Sequence, residues 1–570
     1  MRLRLLPFAV VGWLVLAAST GGQAAPAAHG TGGVVASVQP LATEAGIRTM
    51  AEGGNAVDAA VAVALTLGVV DGHDSGLGGG CFMLIRRANG EIVALDGREM
   101  APGAATRDMF LTDGKGDTGK SQASALAIGI PGSLAVYEKA VTKYGTKSLH
   151  DLLLPAADIA EKGFAIDAPY ARKLAGEREV VARFPATRAI FLHEDGSPLK
   201  EGQILRQPDL ARSYRAIADA GSGWFYRSPY PQMTERWMHE NGGVITAADF
   251  TSYQMQSREP LRTAYRGFEI VSFPPPSSGG VHVAQILNIL ENFDLSHLSE
   301  AARVHVMAEA MKLAFADRAF WLGDPDFTKV PRGLADKDYA KELAGQIALD
   351  YSLGTISHGT PADAAERVFG KHTTHFCTAD SQGNWVACTT TINTSFGSKV
   401  VIPGTGILLN NQMDDFSIQP GVPNVFGLVG GDANAVGPRK RPLSSMSPTL
   451  VLKDGHPVLS AGAAGGPTII TATVINLVGA LDLGLPIDQA LAQPRFHHQW
   501  LPDELLVEEK MPAETVARLK ALGHQVKTIQ AIAAAQMAGA NADGTVLSAA
   551  SEPRVPGKAL GFDKVSAPPK

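Results

Sequence analysis

The chain has 570 residues, 45% of them hydrophobic and 19% charged, with a formal net charge of −6. Such a composition suits a folded protein with a sizeable core and excludes a disordered one. An acidic balance without a basic stripe interleaved with aromatics excludes a nucleic-acid or anionic-membrane partner on electrostatic grounds.

The elements in chain order begin with Arg2 and Arg4, an apolar run over 5–18, and the small residues around Ala24 and Ala25. That order predicts a secretory signal peptide over 1–24. The run is shorter than the roughly 20 residues a bilayer span needs, and no later segment is long and apolar enough to span one, so the mature protein is expected to be exported to the periplasm or secreted. Residues 42–70 read as helical with a break at Gly53-Gly54. The glycine loop 76–80 precedes the strand 81–86, which is the wrong order for a phosphate loop. A strand over 92–96 leads to Arg98-Glu99, a Pro-rich turn over 273–280 leads to a helix over 281–290, and apolar spacing predicts a helix over 304–320.

Residues 354–372 form a polar connector with no apolar period, and at Thr373 the pattern switches to two strands, 373–378 and 385–393, joined by a turn over 380–384. A threonine at that seam suits N-terminal nucleophile chemistry. Its hydroxyl can attack the His372 carbonyl, and the α-amine freed by the cut can then serve the same hydroxyl as base. Three cysteines, Cys81, Cys377 and Cys388, cannot all pair. If Thr391 faces Thr373, alternation puts Cys377 and Cys388 on opposite faces, so free thiols are expected. A further strand over 406–412, a Gly/Pro-rich loop over 417–441, and a strand over 456–461 follow. That strand enters the glycine turn 462–466 and a helix over 467–483, with Pro467 in its first turn. Backbone N–H groups at such a helix start suit a developing oxyanion. His73-Asp74 and His497-His498 lack companions at metal-ligand spacing and read as structural. Strands segregated from long helices point to an α+β architecture of stacked sheets.

Several long motifs occur in order along the chain: 75–80, LDGREMAP at 95–102, 274–280, NTSFG at 393–397, LLNNQMDDF at 408–416, GGDANAVGPRKRPLSSMSP at 430–448 and PRFHHQWLPDEL at 494–505. Through them the chain resembles the bacterial gamma-glutamyltransferases (glutathione hydrolase proenzymes). The resemblance implies an α+β N-terminal nucleophile hydrolase fold, a four-layer αββα sandwich. It implies a precursor cut into a large subunit, 25–372, and a small catalytic subunit, 373–570, which stay together as a heterodimer. Thr373 would be the nucleophile and Thr391 its supporting hydroxyl. Arg98, Ser444 and Ser445 would hold the α-carboxylate of a γ-glutamyl group, and Asn393, Gln412 and Asp415 its α-amino group. Gly465 and Gly466 would form the oxyanion hole. The implied reaction takes glutathione through a γ-glutamyl-threonine ester to water, an amino acid or a dipeptide, with no metal or organic cofactor. The chain departs from the family pattern at Gly97, often Phe in relatives, at 70–74, at His372, and at Phe426, often Tyr in the lid over the glutamate site.

These residue types suit the ligand. A γ-glutamyl donor carries both charges of a free amino acid, so a specific site needs a cation and an anion; Arg binds carboxylate through two parallel bonds, and Asp answers the ammonium. Two other readings remain: a glutaryl-type β-lactam acylase of the same fold, whose substrate has no ammonium for Asp415, and an exported amino-acid-binding protein, which would not be cut.

Overall fold

The computed structural model describes residues 25–361, 374–419, 421–429 and 431–564. The segment 1–24, the end of the connector, His372 and Thr373 lie outside these residues.

Two antiparallel seven-stranded sheets form the centre. The first runs, edge to edge, through Lys558–Phe562, Gly33–Ser37, Thr374–Asp380, Trp385–Thr391, Gly80–Arg86, Ile92–Gly97 and Gln256–Arg258. The second runs through Ala28–Gly30, Leu547–Ala550, Ala534–Ala540, His456–Ala464, Thr449–Lys453, Phe268–Ser272 and Leu261–Tyr265. The threonine hairpin therefore sits at the middle of the first sheet, where both strand edges are paired.

Three apolar layers hold the sheets and helices together. Val34, Phe82, Cys377 and Trp385 of the first sheet meet Val271, Leu450 and Ala549 of the second, forming the layer between the sheets. On the first sheet's other face, Phe376, Val386 and Cys388 pack against the helix Ala56–Val70. The outer face of the second sheet, through Ile270, Val451 and Met537, is covered by the helices Ser278–Leu290, Glu300–Trp321 and Thr468–Leu481. The result is the expected four-layer αββα sandwich. Ala56–Val70 is apolar on all sides because every one of its residues is buried, and Asn55 and Asp58 close its start with a reciprocal capping box.

Register settles the cysteines. Thr374 pairs with Thr390 and Cys377 with Ala387, so Cys377 points between the sheets while Cys388 points to the helices. All three cysteines are free and buried.

Three expectations change. The strand over 406–412 does not form: residues there make only the isolated bridges Val401↔Leu408 and Gly78↔Leu409, and Gln412–Asp415 is a 3-10 turn. The Asn410 side chain is the cause, accepting from the N–H groups of Gly129 and Gln412 and donating to the carbonyls of Gly78 and Gly129, so side-chain bonds replace a ladder. Pro467 is the N-cap of Thr468–Leu481 rather than a first-turn residue. The helix Glu300–Trp321 is buried nearly all round instead of along one face, and its buried residues include Glu309, Lys312, Asp317 and Arg318. Among the described residues no helix is long and apolar enough to cross a membrane.

The backbone before the strand Gly80–Arg86 lies against the end of the hairpin. A Cβ on Gly79 would stand 1.7 Å from the Thr391 carbonyl oxygen, a contact that only glycine permits. Gly79→Ala is expected to cost about 1–3 kcal/mol or more through the forced backbone shift, seen as a lowered Tm in thermal unfolding.

Candidate active site

The hairpin divides its polar side chains between two faces. On the helix side, Thr374 donates to Asp71 Oδ2 at 3.2 Å and Thr390 Oγ1 lies 2.9 Å from the Tyr137 hydroxyl. His375 is bonded to Thr389 at 3.0 Å and to Cys377 at 3.2 Å. Gly462 of the facing sheet makes room for the His375 ring, whose nearest atom would be 2.4 Å from a Cβ there. Burial pushes the His375 imidazole down to about 3, so it is neutral at physiological pH. At the strand end, Thr391 Oγ1 accepts from the Asn393 N–H at 2.7 Å. Asn393, at φ 78° in the left-handed region, turns the chain and donates from Nδ2 to the Asn411 carbonyl at 2.9 Å.

Arg98 is the hub of the polar cluster behind this hairpin. Its backbone is fixed by the bond from its N–H to Asp96 and by the Tyr253 hydroxyl on its carbonyl. The guanidinium donates to the carbonyls of Pro442 and Leu443, each at 2.8 Å, and to Asp415 Oδ2 at 2.5 Å. Gln412 donates to the same carboxylate oxygen at 2.5 Å. Asp415 Oδ1 and Asn393 Oδ1 are buried and accept no bond from any described residue. Gly97 has a local reason: a Cβ there would meet Val136 at 2.7 Å and the Gly132 carbonyl at 2.8 Å, so no larger side chain fits before Arg98.

Ser444 and Ser445 lie on a turn clamped to the Pro-rich segment. The Ser278 N–H donates to the Ser444 carbonyl at 2.6 Å, and the Ser444 N–H donates to the Pro276 carbonyl at 2.8 Å. Gly465 and Gly466, with φ of 130° and 73°, join the strand His456–Ala464 to the helix Thr468–Leu481. At Gly465 a side chain would collide with Thr468 Oγ1 at 2.7 Å and with the Ala533 backbone at 2.9 Å.

A cavity of about 480 Å³ opens onto Thr374, Asn393, Gly465, Val425 and Phe426. Arg98, Thr391, Gln412, Asp415, Ser444 and Ser445 are fully buried and absent from its described lining. Of the residues singled out in the sequence, Arg98, Gln412 and Asp415 are thus brought into direct contact, and Asn393 and Gly465 reach the cavity wall. Thr373 lies outside the described residues. Phe426 is at the cavity wall, its carbonyl accepting from Gln499 at 3.4 Å.

Sequence reasoning missed three groups. Glu99 is buried against Arg98, with Oε2 3.3 Å from Nη1. Arg318 reaches the cluster from the far helix layer, donating to Ser445 Oγ at 3.0 Å. His73 has companions after all: its Nε2 is 3.5 Å from Asp71 Oδ1 and 3.6 Å from Asp74 Oδ2, and these three groups could share an ion. The reading that no ligand set accompanies His73 is corrected accordingly. Lys173 pairs with Asp74 and so brings a cation of the chain itself to that cluster. His497 and His498 are held by Thr471, Gln499 and Asp503 at 3.0–3.1 Å.

The two stacked sheets between helical layers, with a threonine-lined hairpin at the centre, define an N-terminal nucleophile hydrolase. The gamma-glutamyltranspeptidase family model matches residues 42–562. A glutathione hydrolase proenzyme of Escherichia coli K12 is 48% identical over 92% of this chain and 90% of its own length. Among solved structures, a cephalosporin acylase from Bacillus halodurans superposes with a TM-score of 0.86 at 26% identity, over 95% of this chain and 98% of that one. A chain of Helicobacter pylori gamma-glutamyltranspeptidase gives 0.55 at 42% identity, over 55% of this chain and 92% of that one. The chain belongs to the gamma-glutamyltranspeptidase family and is an enzyme of the gamma-glutamyl hydrolase/transferase kind.

Burial raises the Glu99 carboxyl from 4.5 to about 8, with Arg98 opposing, and raises Asp415 to about 6 against the same opposition. Glu99 therefore holds its proton more tightly folded than unfolded. Its contribution to stability is full below about 4.5 and is lost as pH climbs to about 8. Glu99→Gln, which keeps the neutral form, is expected to flatten the pH dependence of Tm in that window. Its advantage over the parent at pH 8 should be on the order of 1 kcal/mol or more.

Proposed function

We propose that the chain is an exported, self-processing enzyme. After loss of 1–24 it cuts itself between His372 and Thr373 into subunits 25–372 and 373–570, then cleaves the γ-glutamyl amide of glutathione and related donors. The observation that carries the substrate reading is the buried Arg98–Asp415 pair, beside which Asp415 Oδ1 and Asn393 Oδ1 lack a donor. A cation and an anion in contact complement a ligand whose carboxylate and ammonium sit on one carbon. Arg98, Ser444 and Ser445 take the α-carboxylate. Asn393, Gln412 and Asp415 take the α-ammonium, which supplies hydrogens to the two orphaned acceptors. Loss of Asp415 would leave that ammonium buried and unpaired, at a cost of roughly 2–5 kcal/mol.

Thr373 Oγ attacks the γ-carbonyl while its proton passes to its own α-amine. The oxyanion forms against the backbone N–H groups of Gly465 and Gly466, and Thr391 supports the nucleophile. Collapse breaks the C–N bond, and the α-amine returns the proton to the departing cysteinylglycine amine. Water, an amino acid or a dipeptide then attacks the threonine ester, giving glutamate or a new γ-glutamyl amide and restoring the hydroxyl. That its relatives are proenzymes supports a cut precursor, as does the Helicobacter chain, which is almost wholly matched yet spans little more than half of this one. An N-terminal signal-like segment supports export to the periplasm or medium.

Thr373→Ala is expected to yield one uncut band on a denaturing gel and no release of 4-nitroaniline from its γ-glutamyl amide. A split at residue 373 in that variant would contradict autoprocessing. The parent is expected to prefer the γ-glutamyl anilide over the glutaryl anilide; the reverse preference would make it an acylase. Because Asp415 must be ionised to pair with an ammonium, kcat/KM for the γ-glutamyl anilide should fall as pH drops through about 6.

A further inference from the structure

Arg318 is a second buried cation of the site, and none of the roles above uses it. It projects from the helix Glu300–Trp321, on the far side of the second sheet from the hairpin's own helix. Its fork spans two serines: Nε donates to Ser278 Oγ at 2.9 Å and Nη2 donates to Ser445 Oγ at 3.0 Å. Ser278 in turn donates to the Ser444 carbonyl at 2.8 Å. One guanidinium thus grips Ser445 by its side chain and Ser444 through Ser278.

The chemistry of these bonds has a direction. A guanidinium only donates, so the Ser445 oxygen that faces Arg318 must act as acceptor there. The Ser445 proton is thereby turned away from Arg318. The positive charge behind the two serines also favours an anion in front of them, and it offsets the negative charge of Asp415 nearby. An arginine held in a fully buried position with fixed donors is preorganised for this in a way that lysine, a single point donor, is not.

We propose that Arg318 is a positioning residue for α-carboxylate recognition: it orients Ser444 and Ser445 so that their donors meet the carboxylate of the γ-glutamyl group. The proposal rests on the carboxylate reading of those two serines.

The test compares γ-L-glutamyl-4-nitroanilide with 4-aminobutyryl-4-nitroanilide, which keeps the amine and lacks only the carboxylate, on processed protein. Arg318→Gln is expected to lower kcat/KM for the first by about tenfold or more, as loss of charge-assisted bonds implies. The second should change less than about twofold. Arg318→Lys is expected to recover part of the loss, and Ser278→Ala to show the same one-sided loss in weaker form; these two carry the comparison if Arg318→Gln does not process. An equal fall on both anilides, as a merely structural arginine would give, or no fall on either, would overturn the role of Arg318. A parent enzyme that handles the two anilides equally well would instead overturn the carboxylate reading beneath it.

Discussion

The buried contact between Arg98 and Asp415 is the constraint around which the rest is arranged. Two opposite charges fully removed from water are expensive to hold, and a hydrophobic pair of similar volume would often be as stable. The chain offsets that cost locally: two carbonyls of the 442–443 turn and the Gln412 amide complete the bonds of the pair. Burial pushes the Asp415 carboxyl up to about 6 even with an arginine in contact. On the proposed reading, the pair receives a ligand that carries the same two charges in reverse order.

The sandwich explains how distant segments reach one point. Arg98 follows the strand Ile92–Gly97 of the first sheet, and Gly97 is glycine because Gly132 and Val136 press on it. Ser444 and Ser445 precede the strand Thr449–Lys453 of the second sheet. Asp415 comes from the 3-10 turn Gln412–Asp415. The threonine hairpin lies in the centre of the same sheet that carries Arg98, and the serines come from the second, so the charge cluster is assembled from both sheets of the core. Arg318 adds a third layer, because its helix covers the outer face of the second sheet and its side chain still reaches Ser445.

Much of this was legible in the sequence where period and punctuation agree. The hairpin could be read from alternation around the turn 380–384, and the opposite facing of Cys377 and Cys388 followed from counting by two. The helix Ala56–Val70 was legible from its length and its glycine break. The extended run 406–412 misled because its apolar residues look like a strand, while Asn410 diverts the neighbouring backbone groups into side-chain bonds. Arg318 was hidden for another reason. Its helix reads as amphipathic, and a charged residue in such a pattern is normally solvated, whereas here the helix is enclosed on nearly all sides. Asp71 sits two residues from His73 in the sequence, but only the turn brings their polar atoms to 3.5 Å.

The central claim is that one buried charge cluster reads an ammonium and a carboxylate carried on a single carbon. Its most direct test is competition by simple acids against the γ-glutamyl anilide at pH 7, using L-glutamate, glutarate, which lacks the ammonium, and 4-aminobutyrate, which lacks the carboxylate. The account requires L-glutamate to inhibit competitively at concentrations about tenfold or more below either analogue, the difference expected for one lost buried charge contact. Equal inhibition by all three acids would contradict it.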